Sequence, residues 1–405
     1  MKSLLQKISD AAKERFQNEQ FPSRKDEYWR FADFDAWSVD ALFPFFAGRP
    51  SEVGADYEFQ DLQDSDGESV VLLYDGQLMD SEVPRGVEVY SAGAAAEAFP
   101  QTIENFHSHN RGKFDVLNST RPDAGILIRV LDGETATLNL KIISKLPVSL
   151  ANVYVLLGRG ARLNLRKTNL SFGGSFSSVK CAYELSEGAV LELASLKYSS
   201  IYAKTYERED FRLGKGSEVI DAVALRAQGG SRQERNFIFD APYAQADSRM
   251  FVSADSDATR DIRTSQIHTA RECKSNLEIR AALDGLSNLA FTGLVNVEEG
   301  SDKTQAYQSC RSLMLSDRAK SQGSPILEIS CNDVACSHGC TVSKPSEEQM
   351  FYMMQRGLDE RAARSLIVRS FAEVSFERIT DREFVDSVMS RICQQNCEAI
   401  LRGVF

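Results

Sequence analysis

Short runs of Val, Ile and Leu, separated by Gly, Asp, Asn and Ser, dominate the chain from about residue 125 to residue 330. No amphipathic helix is evident in this stretch, and such runs are typical of β-strands. Glycine-led strand starts recur at intervals of 28 residues: GARLNL at Gly160, GAVLEL at Gly188 and GSEVID at Gly216. A fixed period above about 20 residues indicates a stacked array of similar units. The pattern favours a β-helix or related solenoid, although a β-sandwich would also give many short strands.

Helical spacing of hydrophobic residues replaces this pattern toward both ends of the chain. The first segment, MKSLLQKISDAAKERF, predicts an amphipathic helix. Between residues 68 and 92, ESVVLLYDGQL and GVEVYSA predict short strands around a turn, and the alanine-rich segment after them predicts further helix. His107 and His109 lie near the end of that helix, where the helix dipole favours histidine, so we interpret both as structural.

Three helices are predicted at the end of the chain. Ser346 forms a capping-box pattern with the glutamine three residues later, and Asp359 can cap the next helix. Thr380 with Glu383 predicts the start of the third. A bundle this small rarely makes a full core, so its spare apolar face is expected to pack on the β region, on a partner, or on both.

Composition narrows the class of protein. With 42% hydrophobic and 26% charged residues, the chain is typical of a soluble globular protein. A formal net charge of -11 argues against a nucleic-acid partner, because nucleic acids are bound by clustered positive charge. No apolar run approaches the roughly 20 residues that a membrane-spanning helix needs. The 8 cysteines are absent from the first 180 residues, which is unlike an oxidised secreted scaffold, and we predict a reducing, cytoplasmic compartment.

Four of the 8 cysteines lie between residues 305 and 371. Cys336, His338 and Cys340 alternate within residues that favour extended chain, and a strand would direct these three side chains to one face. Thiolate and imidazole ligands suit zinc, iron and iron–sulphur species. The paired knuckles of a structural zinc site are absent from this sequence, and free cysteines are frequently small buried side chains. Spacing alone leaves open both a soft-metal site and simple packing.

The motifs around these cysteines resemble the core of the SufB/SufD family of iron–sulphur cluster assembly proteins. They are P-x-LEI from Pro325, CSHGCTV from Cys336 and EEQMFYMMQRGL from Glu347, with weaker echoes over most of the chain. The resemblance implies a mainly β protein, with a central right-handed parallel β-helix (solenoid) flanked by an N-terminal α/β segment and a C-terminal α-helical domain. The expected regions are 1–124 (N-terminal helical and mixed α/β), 125–344 (β-helix core) and 345–405 (C-terminal helices that bind an ATPase).

The resemblance also implies roles for three residues. Cys310 matches a cysteine that SufB members carry just before a similar strand, where SufD members usually have asparagine. His338 matches the histidine of the SufD segment CSHGAT, and Gly339 stands where SufB has a glutamate, so the chain is more like SufD. A nascent iron–sulphur cluster, held transiently at an interface, would then have Cys310 as a sulphur-bearing or cluster ligand, His338 as an iron ligand and Cys336 as a nearby accessory thiol.

The same resemblance implies a scaffold and not an enzyme. A SufD-like subunit of a SufBCD complex would pair with a SufB-like subunit, or with itself, through its late β-helix strands. Its C-terminal helices would bind a SufC-like ATPase, and this chain would bind no nucleotide, consistent with the absence of a P-loop motif. The alternatives are a SufB-like or homodimeric cluster scaffold and a β-helix carbohydrate-active enzyme, which needs clustered carboxylates in an open groove.

The remaining cysteines have no role implied by the resemblance. Cys393 and Cys397 are four residues apart on the last predicted helix, and we expect them to pack in a core. We interpret Cys331 and Cys340 as packing residues too, unless Cys340 faces Cys336.

Overall fold

The structure is a computed structural model that describes residues 2–23, 25–30, 69–257 and 259–393. Its helices are α1 Leu4–Asn18, α2 Ala92–Ala98, α3 Pro100–Ser108, α4 Lys113–Thr120, α5 Glu347–Gln355, α6 Glu360–Glu373 and α7 Arg382–Cys393. Its strands are β1 Val70–Tyr74, β2 Gln77–Ser81, β3 Val87–Ser91, β4 Gly125–Val130, β5 Thr135–Ser144, β6 Val148–Leu157, β7 Arg162–Ser171, β8 Phe176–Leu185, β9 Val190–Ser199, β10 Lys204–Leu213, β11 Glu218–Ala227, β12 Ser231–Phe239, β13 Gln245–Ala254, β14 Thr259–His268, β15 Lys274–Leu283, β16 Asn288–Val297, β17 Gln305–Met314, β18 Lys320–Ile329 and β19 Ala335–Ser343.

Consecutive strands of the central region alternate between two sheets. The odd-numbered strands from β5 to β19 lie side by side in a 10-stranded sheet, and the even-numbered strands from β4 to β18 in a 9-stranded sheet. All of these neighbours pair in parallel, whereas the antiparallel pairs among the described strands are β1 with β2 and β3 with β4. Two strands thus make one coil, and the predicted parallel β-solenoid is confirmed. Parallel pairing throughout excludes the sandwich alternative.

The 28-residue repeat corresponds to one coil of the solenoid. The strands that follow the three repeat glycines pair in register, so that Val190 lies beside both Arg162 and Glu218. The glycines themselves have φ of +64°, +70° and +63°. Glycine adopts this left-handed conformation without steric cost, which explains why it recurs at the same corner of successive coils.

In-register stacking builds the core between the two sheets. Leu163, Leu191 and Val219 occupy equivalent positions on β7, β9 and β11 and are fully buried. Aromatic rings stack in the same way on the other sheet, where Phe211 lies 4.6 Å from Tyr183 between ring centroids. Each apolar side chain therefore packs against its counterpart one coil away, and this burial stabilises the solenoid.

A charged cluster, the interior ion cluster, interrupts this apolar core. Within this cluster, Lys167 Nζ donates to Glu207 Oε1 at 2.8 Å and Lys197 Nζ donates to Glu209 Oε2 at 2.7 Å. Burial disfavours the charged form of Glu209 and acts to raise its pKa. The positive charges of Arg235, Lys167 and Lys197 outweigh this effect and hold the pKa of Glu209 well below its ordinary value. Formal charges balance across its members, all buried: Lys167, Lys197, Arg235, Glu207, Glu209 and Asp221.

Helices cover the first coils, as the sequence predicts. Helix α1 buries Ala12 and Phe16, and α2 and α3 follow β3 in the alanine-rich segment. The buried His107 is structural: its Nε2 lies 2.9 Å from the Tyr154 hydroxyl, and burial lowers its pKa to about 3. Among the described residues, no helix is both long enough and apolar enough to cross a membrane.

The C-terminal helices α6 and α7 pack on the odd-numbered sheet, where Ala372 and Val388 join a core cluster with β9 and β11 residues. Ser346 and Asp359 cap α5 and α6 as predicted. Thr380 is not the cap of α7. Its amide and hydroxyl both donate to Glu192 on β9, and the carboxylate of Asp381 instead accepts from the amide of Phe384 in the first turn of α7.

We expect Glu209→Gln to lower the free energy of unfolding by about 3–5 kcal/mol, because it leaves buried cations without a compensating charge. Urea unfolding followed by circular dichroism measures the change. Glu187→Gln is the matched control: its pair with Lys215 is exposed, so water screens it and the unfolding midpoint should not move. Equal effects of the two substitutions would contradict a stabilising role for the interior ion cluster.

Candidate functional site

The candidate site lies on the last coil of the solenoid. Strand β19 ends the odd-numbered sheet and β18 ends the even-numbered one, and no other described strand pairs with their outer edges. Most residues of both strands are exposed, whereas the preceding β17 is still half buried. The interior of the solenoid therefore reaches solvent at this open end.

Register determines which residues of β17 and β19 meet. Cys336 lies beside Ala306, His338 beside Gln308 and Cys340 beside Cys310. The three β17 residues are buried, and alternation along a strand places the three β19 residues on the same inward face. The sequence-based prediction that these side chains share a face thus agrees with the register.

Cys310 and Cys340 form a thiol pair. They are register partners on β17 and β19, Cys310 is 3% exposed and Cys340 is exposed, and hydrogen bonding between the two thiols shifts the pKa of each. This bond from Cys310 lowers the pKa of Cys340 to about 7, against a smaller opposing effect of burial. Donation to Cys340, together with burial, raises the pKa of Cys310. The sequence predicts that Cys340 packs unless it faces Cys336, and the structure places it beside a different thiol, Cys310.

Glycine on the facing strand leaves room for this pair. A Cβ atom at Gly323 of β18 would lie 2.7 Å from Cys340 Sγ, far inside van der Waals contact. Any side chain at this position would displace the sulphur. The β18 sequence is thus matched to the thiol on β19.

His338 is an exposed neighbour of the thiol pair. Its register partner Gln308 is buried and donates from Nε2 to the Gly293 carbonyl at 3.1 Å. His338 and the two thiols do not converge on one point: within the described part of the chain, the one trio of potential ligands within 4.8 Å of one another is Cys181, Glu207 and Glu209. The open end of the solenoid therefore brings an imidazole near two thiols, but not a closed ligand set.

The Cys181 trio belongs to the interior ion cluster. Lys167 Nζ lies 3.9 Å from Cys181 Sγ and also donates to both carboxylates. Burial raises the pKa of the Cys181 thiol to about 12, so the thiol stays protonated at neutral pH. Lysine and arginine side chains already occupy the positions that a cation would take.

The other cysteines near the open end are less available as ligands. Cys331 donates from Sγ to the Glu298 carbonyl at 2.9 Å. Cys336 is partly buried beside Val297, and burial raises its pKa. Cys397 and the side chain of Cys393 lie outside the described residues.

Comparison with known proteins gives a family for this architecture. Residues 141–371 match the family model described as SUF system FeS cluster assembly, SufBD core domain, which is more than half of the chain. The chain belongs to the SufBD family. The matched region extends from β5 into α6 and includes the whole of the last coil.

Relatives of the SufBD family are similar at modest identity. "Protein ABCI7, chloroplastic" of Arabidopsis thaliana is 25% identical over 96% of this chain and 85% of its own length. Iron-sulfur cluster assembly protein SufD of Escherichia coli is 32% identical over 33% of this chain and 32% of that protein. SufD of Bacillus subtilis is 28% identical over 39% of this chain and 36% of that protein. The names favour a SufD-like member, as the CSHG segment predicts.

A second surface feature of this SufBD chain lies beside the last coil. A groove of about 380 Å³ separates the β17–β18 connection from α5 and α6, and its apolar lining includes Leu315, Met350 and Met354. Helix α5 buries none of its own residues, and Phe351 at its centre is 63% exposed. An apolar helix face of this kind is typical of a protein interaction surface. We call this helix and groove the α5 surface.

Cys310→Ala is expected to raise the pKa of Cys340 from about 7 toward the ordinary cysteine value of about 8.5, because the hydrogen bond to the thiolate is lost. The rate of alkylation of Cys340 at neutral pH should fall by roughly tenfold or more. Mass spectrometry of iodoacetamide-treated protein across a pH series measures it. Cys336→Ala should leave the profile unchanged, and an unchanged profile in Cys310→Ala would refute the coupling.

Proposed function

We propose that this chain is a SufD-like scaffold subunit, and not an enzyme, that helps to hold iron and sulphide while an iron–sulphur cluster forms. The observation that carries the proposal is the open end of the solenoid, where Cys340 on β19 lies beside Cys310 on β17 and His338 lies on the same face of β19. Thiolate and imidazole are ligands for iron and for iron–sulphur clusters. The cluster is the cargo of the scaffold.

The incomplete ligand set supports a shared site. Cys310, Cys340 and His338 leave coordination positions open, which suits a cluster that is assembled and then released. The free edges of β18 and β19 could pair with strands of another chain, as exposed strand edges readily do. Exposed apolar side chains such as Ile326, Ile329 and Val342 lie on these strands. We infer a SufB-like subunit as the partner at this seam.

A second copy of this chain is the alternative partner. Cys310 supports the homodimer. By the resemblance, it matches a cysteine of SufB members, although the rest of the chain is more like SufD. A homodimer would bring two copies of the thiol pair and two histidines to one seam. The mass of the purified assembly, with and without a SufB-like subunit, separates these arrangements.

The α5 surface is the inferred docking site for a SufC-like ATPase. An exposed helix with Phe351, Tyr352 and Met354 can place several apolar anchors in a partner's pocket, and aromatic anchors commonly dominate binding energy. Helix α6, which follows, is fixed to the odd-numbered sheet. A movement of the bound ATPase would therefore be transmitted through α6 to the solenoid. In this proposal the nucleotide binds to the ATPase alone, and the complex works in the cytoplasm.

His338→Ala is expected to abolish cluster formation without unfolding the protein, since the side chain is exposed and only a ligand is lost. Anaerobic reconstitution of the complex with iron and sulphide, followed by visible absorbance, measures cluster yield. Thr341→Ala, an exposed change on the same strand, is the control and should reconstitute normally. A normal yield in His338→Ala, with an unchanged circular dichroism spectrum, would count against the ligand assignment.

Phe351→Ala is expected to weaken binding of the ATPase by roughly 30-fold or more, the effect of losing an interface anchor worth about 2 kcal/mol. Isothermal titration of the purified subunits measures the dissociation constant. Leu286→Ala removes a similarly exposed apolar side chain at a corner of the solenoid and should have no effect. Wild-type affinity in Phe351→Ala would place the ATPase elsewhere.

A further inference from the structure

Cys310 and Cys340 are neighbours on adjacent parallel strands and are in register. Strands in a sheet lie about 4.8 Å apart, and disulfides span Cα separations of about 4.4–6.8 Å. Both side chains lie on the inward face of the sheet, since Cys310 is buried in the core and Cys340 Sγ lies 2.7 Å from where a Cβ at Gly323 of β18 would be. The expected Cα spacing thus lies within the range of disulfides, and both side chains lie on the same face of the sheet.

We propose that Cys310 and Cys340 form a reversible intrachain disulfide by exchange with a low-molecular-weight disulfide such as oxidised glutathione. This function is separate from the holding of a cluster. It makes the last coil a redox-modifiable site, with Cys340 as the entry point and Cys310 as the resolving thiol.

No other described cysteine is as well placed to pair with either thiol. Cys181 and Cys273 are buried in earlier coils, and Cys331 donates to the carbonyl of Glu298, just after the end of β16. Cys336 lies on the same strand as Cys340 but four residues away, about 13 Å along an extended chain. Among the described cysteines, Cys310 and Cys340 are therefore expected to form a disulfide with each other and not with a third cysteine.

Exposure determines the order of the steps. Cys340 is exposed and can meet a small disulfide in solution, whereas Cys310 is 3% exposed and can meet only Cys340. The absence of a side chain at Gly323 gives the Cys340 sulphur the space it occupies. A buried resolving thiol behind an exposed one is the arrangement that completes an exchange and does not stop at the mixed disulfide.

The exchange balances without any further reactant. The thiolate of Cys340 attacks one sulphur of R–S–S–R, the S–S bond breaks, and R–S⁻ leaves as the mixed disulfide forms. The thiolate of Cys310 then attacks Cys340 Sγ and expels the second R–S⁻. Two protein thiols are oxidised, one small disulfide is reduced to two thiols, and the protons from the cysteines go to the two departing thiolates.

Oxidation of the two thiols would also remove ligands from the cluster, an inference that rests on the proposed function. A disulfide sulphur is not a thiolate ligand, so the oxidised chain would lose both sulphur ligands while keeping His338. Reconstitution before and after reduction tests this consequence. The disulfide itself is tested independently of iron.

The test uses the full chain, reduced, freed of reductant and incubated anaerobically with oxidised glutathione. After free thiols are blocked, trypsin should release residues 304–311, which carry Cys310, linked to residues 321–356, which carry Cys340. Fragmentation of the linked peptides identifies the second cysteine. The expected product has lost two hydrogen atoms, carries a bond from Cys310 to Cys340, and returns to free thiols with dithiothreitol.

Matched variants decide between this disulfide and its alternatives. Cys336→Ser should still give the link, and Cys340→Ser should lose it completely. A stable glutathione adduct on Cys340 with no link to Cys310 would overturn the proposal, as would a link from Cys310 to Cys331 or Cys336. Because the wild-type chain alone gives a decisive product, the test does not depend on the folding of any variant.

Discussion

In-register hydrogen bonding between parallel strands is the constraint on which this structure depends. Each residue of a coil lies directly beside its register partner one coil earlier. A side chain that packs well in one coil therefore favours a similar side chain at the same position of the next coil. Apolar stacks such as Leu163 on Leu191 follow from this rule. So does the interior ion cluster, because charges inside such a stack are tolerated only where opposite charges occupy neighbouring positions on both sheets. The cluster around Lys167 and Glu209 is balanced in formal charge for this reason.

The same rule explains why chemistry is concentrated at the end of the stack. An interior coil is covered on both sides, and a thiol there, such as Cys181, is held protonated among apolar and charged neighbours. The last coil has a neighbour on one side only. Its inward positions combine the alignment of the solenoid with access to solvent, and Cys340 and His338 are found there, with the buried Cys310 beside Cys340 on β17. The α5 surface lies beside this coil, so a partner bound there would be close to the open end.

Much of the architecture could be predicted from local patterns. The repeat of glycines at Gly160, Gly188 and Gly216 reports the length of one coil, because only glycine adopts that corner conformation freely. The capping signals at Ser346 and Asp359 are equally local, since the capping side chain accepts from an amide only three residues later. Thr380 shows where this reasoning fails: a carboxylate 188 residues away in sequence takes its hydrogen bonds.

The sequence by itself therefore determined the solenoid repeat, the helices at both ends, the SufBD family and the identity of Cys310, Cys336 and His338 as candidate ligands. These features depend on periodicity and on motifs, which involve residues that are close in the chain. Only the tertiary structure decided that Cys340 meets Cys310, that Gly323 makes room for it and that Cys181 lies among buried charges. Such contacts join residues on different strands or coils, and their partners follow from strand register, which no local pattern specifies.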